Sequence, residues 1–217
     1  MLAGQKREER IRRERHTANE WRKVRKLELY PDLYNKSFVD YLKPMIIVSL
    51  NTGLRRKELF LSTWKNIKWD QENQVLTVPG TIAKNKKTRH VYLNETALNA
   101  LLLWKKQSNG VDDYIFPSQN GKPKNNVKTA WTNLLKKAKI VDFRWHDMRH
   151  DFASRLAMSG VDLNHIRELL GHRDPKTTLR YAHLAPSNLN DAVKKLDIKF
   201  SFEIRNESNY DETKTAS

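Results

Sequence analysis

Four short polar segments of the sequence carry side chains that suit chemistry on a phosphate group. In the first, Arg55 and Glu58 stand three residues apart and would be neighbours on one helix face, a spacing that usually marks a surface ion pair. The second is a basic turn between two expected strands, able to follow a phosphate backbone or to bring one ammonium into a site. Of its lysines we favour Lys84, which we expect at a strand end; Lys86 and Lys87 are the alternatives.

The other two segments combine histidine with arginine or tyrosine. His146 and Arg149 share a helix face, so an imidazole and a guanidinium would lie side by side. His172 follows an apolar stretch and a Leu-Gly step, and Tyr181 stands nine residues later in the next expected helix. Each feature alone is more typical of a structural role, since a tyrosine in such a helix usually packs in the core.

Together, these groups suit attack on a phosphodiester by a tyrosine. The planar forks of Arg55 and Arg149 can hold the two non-bridging oxygens of a phosphate and stabilise the charge that develops in the transition state. A phenol with a pKa of about 10 is a poor nucleophile without a base and cationic surroundings. His146 and His172 can supply this help to Tyr181.

A metal-dependent nuclease fits the sequence less well. The chain has no cysteine, no His-Glu-x-x-His or His-x-His spacing, and no cluster of carboxylates that would hold two magnesium ions. We therefore predict no metal and no other cofactor.

Composition indicates a polyanionic partner and a location inside the cell. The 217 residues include 41 Lys and Arg against 25 Asp and Glu, a net charge of +16. With 38% hydrophobic residues the chain can form a real core, but no run approaches the roughly 20 apolar residues of a membrane span. The charged start lacks the apolar stretch of a secretory signal, and the absence of cysteine fits a reducing, cytoplasmic compartment.

Hydrophobic periodicity predicts an α+β fold that is mostly helical. Helical spacing begins at Phe38 and stops at Gly53, where glycine suits a helix end, and a short helix follows over residues 54 to 61. Three alternating runs, at 67 to 69, 75 to 78 and 90 to 93, predict a small antiparallel sheet. Further helices are expected from Asn94 to Gln107, from Asn125 or Asn126 to Lys139, and over 146 to 158, 163 to 170, 174 to 181 and 187 to 196, with a lone strand at 199 to 204.

In their order and spacing, the four segments resemble the tyrosine recombinases, the family of phage-type integrases. The resemblance covers roughly residues 38 to 196, and it implies the tyrosine recombinase catalytic-domain fold. It rests on Thr-Gly-Leu-Arg-x-x-Glu-Leu at 52 to 59, Lys84 in the hairpin, His-x-x-Arg-His at 146 to 150, Leu-Gly-His at 170 to 172, and Tyr181.

The resemblance also implies a mechanism. Tyr181 would attack the scissile phosphate to give a 3′-phosphotyrosyl link and a free 5′-hydroxyl, which conserves the bond energy and needs neither ATP nor metal. The other residues would have supporting roles: Arg55 and Arg149 as phosphate clamp, Lys84 as proton donor to the leaving 5′-oxygen, His146 as aid to proton transfer at the tyrosine, His172 as hydrogen-bond partner of the phosphate, and Glu58 as support for Arg55.

Composition predicts the domain organisation, and the resemblance implies the assembly. Residues 1 to 30 have too few apolar side chains to fold alone and are interpreted as a basic linker or arm, with a solvated basic helix end as the alternative. Residues 31 to 197 are interpreted as the catalytic domain, and residues 198 to 217 as a strand and disordered tail. Family integrases carry a DNA-binding domain ahead of the catalytic one, so we expect this chain to bind double-stranded DNA weakly. We expect a monomer when free and a homotetramer on DNA, coupled by the helix at 187 to 196.

Two other functions are compatible with parts of the pattern. Residues 146 to 171 can be drawn as the helix-turn-helix of a non-catalytic DNA-binding regulator, although apolar side chains occupy the second helix where base-reading groups would stand. Type IB topoisomerase-like relaxation would use the same nucleophile and arginines. It differs in the outcome, because one duplex is swivelled instead of two sites being joined.

Overall fold

The structure is a computed structural model that describes residues 2 to 70, 74 to 108 and 113 to 186. The predicted helix at 187 to 196, the strand at 199 to 204 and the tail lie outside the described residues. The helices are α1 Leu2–Val24, α2 Leu42–Thr52, α3 Arg56–Leu61, α4 Glu95–Gln107, α5 Lys128–Ala138, α6 Asp147–Met158, α7 Leu163–Leu170 and α8 Lys176–Leu179, and the strands are β1 Ile67–Lys68, β2 Val75–Val78 and β3 Arg89–Tyr92. These elements confirm the mostly helical α+β prediction.

The small sheet is antiparallel, with β2 between β1 and β3. In the strand pairing, Leu76 of β2 lies opposite Ile67 of β1 and Val91 of β3. Alternation along β3 buries Arg89 and Val91 and exposes His90 and Tyr92, so one face of the strand points into the protein. The sheet therefore carries a charged side chain inward at the start of its last strand.

Two apolar clusters organise the described residues. The larger one joins α2, α3, the sheet, α4 and α5 around fully buried side chains such as Met45, Leu59 and Leu76. The smaller one joins α6, α7 and the segment after α8, and its members are Ala153, Ala157, Ile166, Leu170 and Tyr181. Helix α2 connects the two clusters, because it packs against both α4 and α6, and α7 adds a second connection through its contact with β3.

Helix ends follow local sequence chemistry. The Asn94 side chain accepts a hydrogen bond from the Ala97 amide at 3.0 Å, which confirms the predicted start of α4. The helix predicted to continue through Tyr181 is shorter than expected, because α8 ends at Leu179. Consecutive threonines at 177 and 178 have low helix propensity, and Tyr181 lies between α8 and a 3₁₀ turn over Ala182–Leu184.

Residues 2 to 24, which the sequence analysis placed in a basic linker or arm, form helix α1. Polar contacts with the segment that follows it and with the first turn of α2 hold this helix. The buried Glu8 carboxylate accepts from Lys43 at 2.7 Å, and Arg12 donates to two backbone carbonyls at 3.1 Å. The helix is thus ordered by ion pairs and carbonyl contacts, which hydrophobic periodicity does not detect. Within the described ranges, all helices are too short or too polar to cross a bilayer.

The end of α2 depends on Gly53, which adopts a left-handed conformation with φ +59°. A β-carbon here would lie 2.5 Å from the Phe152 ring and 3.0 Å from Leu170. Gly160 has a similar positive φ of +79° but no atom within 4 Å of the same position. Both sites therefore carry the same backbone penalty, and only Gly53 adds a steric clash.

We predict that Gly53→Ala lowers the free energy of unfolding by about 1–3 kcal/mol more than Gly160→Ala, the extra loss being the overpacking at Phe152. Urea denaturation followed by circular dichroism measures both variants against the unmodified chain. Equal losses in the two variants would show that the close packing at Gly53 contributes nothing beyond backbone strain.

Candidate active site

Three arginines from distant parts of the chain converge on the C-terminal end of α7. The last carbonyls of a helix have no intrahelical partner and carry the negative end of the helix dipole, so guanidinium groups satisfy them well. The contacts are Arg89 to the Leu169 carbonyl at 3.1 Å, Arg149 to the Leu170 carbonyl, and Arg55 to the Gly171 carbonyl at 3.4 Å.

Glu58 is the buried counter-ion of this cluster, with only 1% of its surface exposed. Its carboxylate accepts from the Arg55 guanidinium at 2.9 Å, from the Arg55 amide at 2.9 Å and from Arg89 at 2.6 Å. Burial by itself would raise the pKa of Glu58, but the attraction of Arg89 and the hydrogen bonds from Arg55 outweigh it and lower the pKa. The carboxylate is therefore ionised and holds both guanidinium groups in place.

Arg89 is a site residue that the sequence analysis missed. It ends the basic turn in the sequence, where it looks like one more solvated charge. The informative feature was its register, because alternation along β3 puts it on the same buried face as Val91. Its side chain lies across Gly171, where a β-carbon would come within 2.7 Å of Arg89 Cδ, so this residue must be small.

Arg149 is the most deeply buried of the predicted phosphate ligands, with 4% exposure. It donates to the Gly53 carbonyl at 2.6 Å and to the Leu170 carbonyl. Burial, together with the neighbouring charges of Arg55 and Arg89, lowers the pKa of Arg149 to about 9. Three guanidinium groups around one carboxylate leave an excess of positive charge, which an incoming phosphate would offset.

Tyr181 is 5% exposed and packs in the smaller apolar cluster. Its hydroxyl lies 2.6 Å from Nδ1 of His150, on the residue next to Arg149 in α6. Burial raises the pKa of Tyr181, while the charges of Arg180 and Arg149 act in the opposite direction. His150 was not among the predicted site residues, although the sequence motif ended on it.

The two predicted histidines border this group. His146 lies at the start of α6 and meets His150 edge-on, with ring centroids 5.1 Å apart. Nδ1 of His172 lies 2.8 Å from the Thr178 hydroxyl. Burial and then the charges of Arg149 and Arg55 lower the pKa of His172 to about 4, so its imidazole is neutral at neutral pH.

Lys84 does not join the cluster. We expected it at a strand end, but it lies within the turn between β2 and β3, because the Ile82 and Ala83 amides both donate to the Pro79 carbonyl and close the backbone there. The Lys84 side chain is exposed, and within the part of the chain that the structure describes it forms no hydrogen bond or ion pair. In the same ranges, no three histidine or carboxylate side chains are arranged to hold a metal ion.

The chain belongs to the phage integrase family, whose model matches residues 28 to 188. It is 32% identical to the integrase of Salmonella phage P22 over 180 residues, which is 77% of this chain and 45% of that protein. It is also 32% identical to the tyrosine recombinase XerC of Xanthomonas axonopodis pv. citri over 146 residues, 65% of this chain and 46% of that protein. The chain thus spans about half the length of these relatives.

Solved structures agree with the family. The catalytic domain of bacteriophage HP1 integrase is 28% identical, with a TM-score of 0.52 over 70% of this chain and 79% of that domain. The XerA recombinase crystal structure shares the fold at 23% identity, with a TM-score of 0.54 over 86% of this chain and 75% of that one. The predicted tyrosine recombinase catalytic-domain fold is therefore confirmed.

We predict that Arg89→Met lowers the free energy of unfolding by about 1.5–3 kcal/mol, the usual loss for hydrogen bonds to a charged group. The loss should stay below the roughly 3–5 kcal/mol of a fully unpaired buried charge, because Arg55 still pairs with Glu58. Arg10→Met is the matched control, since it breaks an exposed pair with Glu14 and should cost less than about 1 kcal/mol. Urea denaturation of both variants is the measurement, and equal losses would contradict a structural role for Arg89.

Proposed function

We propose that this chain is the catalytic part of a site-specific DNA recombinase that cleaves and rejoins strands through a 3′-phosphotyrosyl intermediate. One combination of contacts carries the proposal. The Tyr181 hydroxyl is bonded to His150, and the positive charges of Arg55 and Arg149 exceed the single negative charge of Glu58. Family membership supports the same reading.

Arg55 and Arg149 would clamp the non-bridging oxygens of the scissile phosphate. Each guanidinium has five N–H groups, and the contacts to Glu58 and to backbone carbonyls use only some of them. The remaining donors are held in fixed directions, and such preorganised donors stabilise the charge of a transition state. His172 is neutral. With Nδ1 accepting a hydrogen bond from the Thr178 hydroxyl, its Nε2–H would donate to the phosphate.

Lys84 would protonate the 5′-oxygen as it leaves. An ammonium on an exposed turn has no competing carboxylate partner among the described residues, and the turn extends from the sheet that carries Arg89. Glu58 would keep Arg55 in position, as its two contacts with that residue suggest.

Double-stranded DNA is the proposed partner. The net charge of +16 favours binding to a polyanion, and the solved structures of the Tn1549 transposon integrase and of XerH are complexes with DNA. We propose that the chain acts on DNA in the cytoplasm, at the nucleoid of a bacterial host, as a monomer that assembles into a homotetramer only on paired sites.

The helix-turn-helix alternative is less compatible with the packing of α7. Ile166 and Leu170 are fully buried in the smaller cluster, so that face of the helix is not available to a major groove. Type IB topoisomerase-like relaxation uses the same chemistry, and it would give relaxed circles without joined sites.

We expect Tyr181→Phe to abolish covalent attachment to DNA while leaving the fold and the salt-dependent binding of duplex DNA unchanged, because only one hydroxyl is removed. A pool of nicked duplexes with a randomised segment serves as suicide substrate, and denaturing gels detect the adduct. Tyr34→Phe, at an exposed tyrosine, is the matched control and should react like the unmodified chain. An adduct that survives Tyr181→Phe would rule out the assigned nucleophile.

A further inference from the structure

The hydroxyl of the proposed nucleophile already has a proton acceptor in contact with it. His150 Nδ1 lies 2.6 Å from Tyr181 Oη, within the range of a strong hydrogen bond between them. Both side chains are at least partly buried, so bulk water does not readily replace this contact. The arrangement of a nucleophile bonded to a base is the usual way to activate a hydroxyl.

We propose that His150 is the general base of the reaction: it takes the phenol proton as Tyr181 attacks DNA and returns it on rejoining. The inference rests on the proposed function and names one more catalytic residue for it. The family resemblance implied that His146 assists proton transfer at the tyrosine, whereas the contact with the Tyr181 hydroxyl is made by His150.

The position of His150 on α6 explains how base and clamp act together. Arg149 and His150 are adjacent, so their side chains leave the helix about 100° apart. One points to the carbonyls of Gly53 and Leu170 and the other to the tyrosine hydroxyl. A single helix thus sets the phosphate ligand and the proton acceptor relative to each other.

Other bases in the described part of the chain are less well placed. His146 touches the imidazole of His150 instead of the phenol, and Nδ1 of His172 is bonded to Thr178. Arg149 stays protonated at neutral pH and cannot accept a proton. His150 is therefore the one basic group bonded to the hydroxyl among the residues described.

Burial and the neighbouring positive charges keep His150 neutral before the reaction. Burial, and after it the positive charge of Arg180, lower the pKa of His150 below its ordinary value, while Asp147 acts in the opposite direction. A neutral imidazole with its proton on Nε2 leaves a lone pair on Nδ1 for the phenol. The titratable and charged groups facing it are Arg144, His146, Asp147, Arg149, His172, Arg180 and Tyr181.

The proton and electron balance is complete without a further reactant. The Tyr181 O–H bond breaks as Nδ1 of His150 takes the proton, and the phenol oxygen forms the new bond to phosphorus. The bond from phosphorus to the 5′-oxygen breaks, and that oxygen takes a proton from the proposed acid, Lys84. On rejoining, the 5′-hydroxyl gives its proton back to the neutral Lys84 amine and attacks phosphorus. The bond from phosphorus to the phenol oxygen breaks, and the departing phenolate recovers its proton from the His150 imidazolium.

The variant His150→Asn tests whether His150 takes the phenol proton or only holds the hydroxyl in position. An asparagine amide can still accept a hydrogen bond near the position of Nδ1, but it is not basic. If His150 is the general base, His150→Asn should slow adduct formation about 100-fold or more. His165→Asn, at an exposed histidine of α7, is the matched control and should leave the rate unchanged.

Two chemical rescues identify the missing proton transfer. Replacing Tyr181 by 3,5-difluorotyrosine lowers the pKa of the phenol, so the His150→Asn variant should recover about tenfold or more of its rate. A substrate with sulfur as the 5′-bridging atom has a better leaving group and should rescue Lys84→Ala but not His150→Asn. A slow variant that fluorotyrosine does not rescue would make His150 a positioning residue and overturn the proposal, as would a rate within about threefold of the unmodified chain.

The pH profile of the unmodified chain covers the case in which His150→Asn fails to fold. Because burial lowers the pKa of His150 below the roughly 6.5 of a free imidazole, adduct formation should hold at neutral pH and fall only at a lower pH, where protonated His150 cannot accept a proton. A rate that keeps its value at about pH 8 down to the lowest pH at which circular dichroism still shows the folded chain would overturn the proposal. These results are independent of the proposed function, which fails only if the unmodified chain forms no adduct or Tyr181→Phe still forms one.

Discussion

The ionised carboxylate of Glu58 is the interaction on which the candidate site depends. Burying three guanidinium groups close together is costly, and truncating one partner of such a network leaves charge uncompensated. Glu58 offsets this by binding both Arg55 and Arg89, and the carbonyls at the end of α7 supply partial negative charge on the opposite side. The cluster keeps a net positive charge that favours an anion, and the charge of Arg149 acts on Tyr181 by lowering its pKa against the effect of burial.

The same contacts join parts of the chain that are far apart in sequence. The hydrogen bond from Arg149 to Gly53 spans 96 residues and that from Arg55 to Gly171 spans 116. The site can therefore form only when α2, the sheet and α6 to α8 have all packed. Its stability and the stability of the fold are coupled, since Gly53 closes α2, contacts Phe152 and accepts the Arg149 hydrogen bond at once.

Local chemistry explains what the sequence predicted well. The cap at Asn94, the glycine end of α2 and the alternation of the strands are short-range features, and the structure confirms them. The predicted position of Lys84 at a strand end was wrong, because backbone hydrogen bonds to Pro79 form a turn before this residue. The length of α8 was overestimated for a similar local reason.

The sequence could not predict which side chains of the site bond to each other, because these pairs join distant segments of the chain. Arg89 looks like a surface charge until β3 faces Glu58, and His150 looks like the end of a motif until α8 brings Tyr181 to it. Helix α1 is likewise held by ion pairs, such as Glu8 with Lys43, that no hydrophobic pattern reports.

The most direct test of the account is a structure of the chain on a nicked duplex with vanadate in place of the scissile phosphate. We expect vanadium bonded to Tyr181 Oη, with Arg55 and Arg149 donating to its equatorial oxygens and Glu58 still bound to Arg55 and Arg89. Vanadate held by other side chains, with both arginines still donating only to Glu58 and to backbone carbonyls, would contradict the proposed clamp.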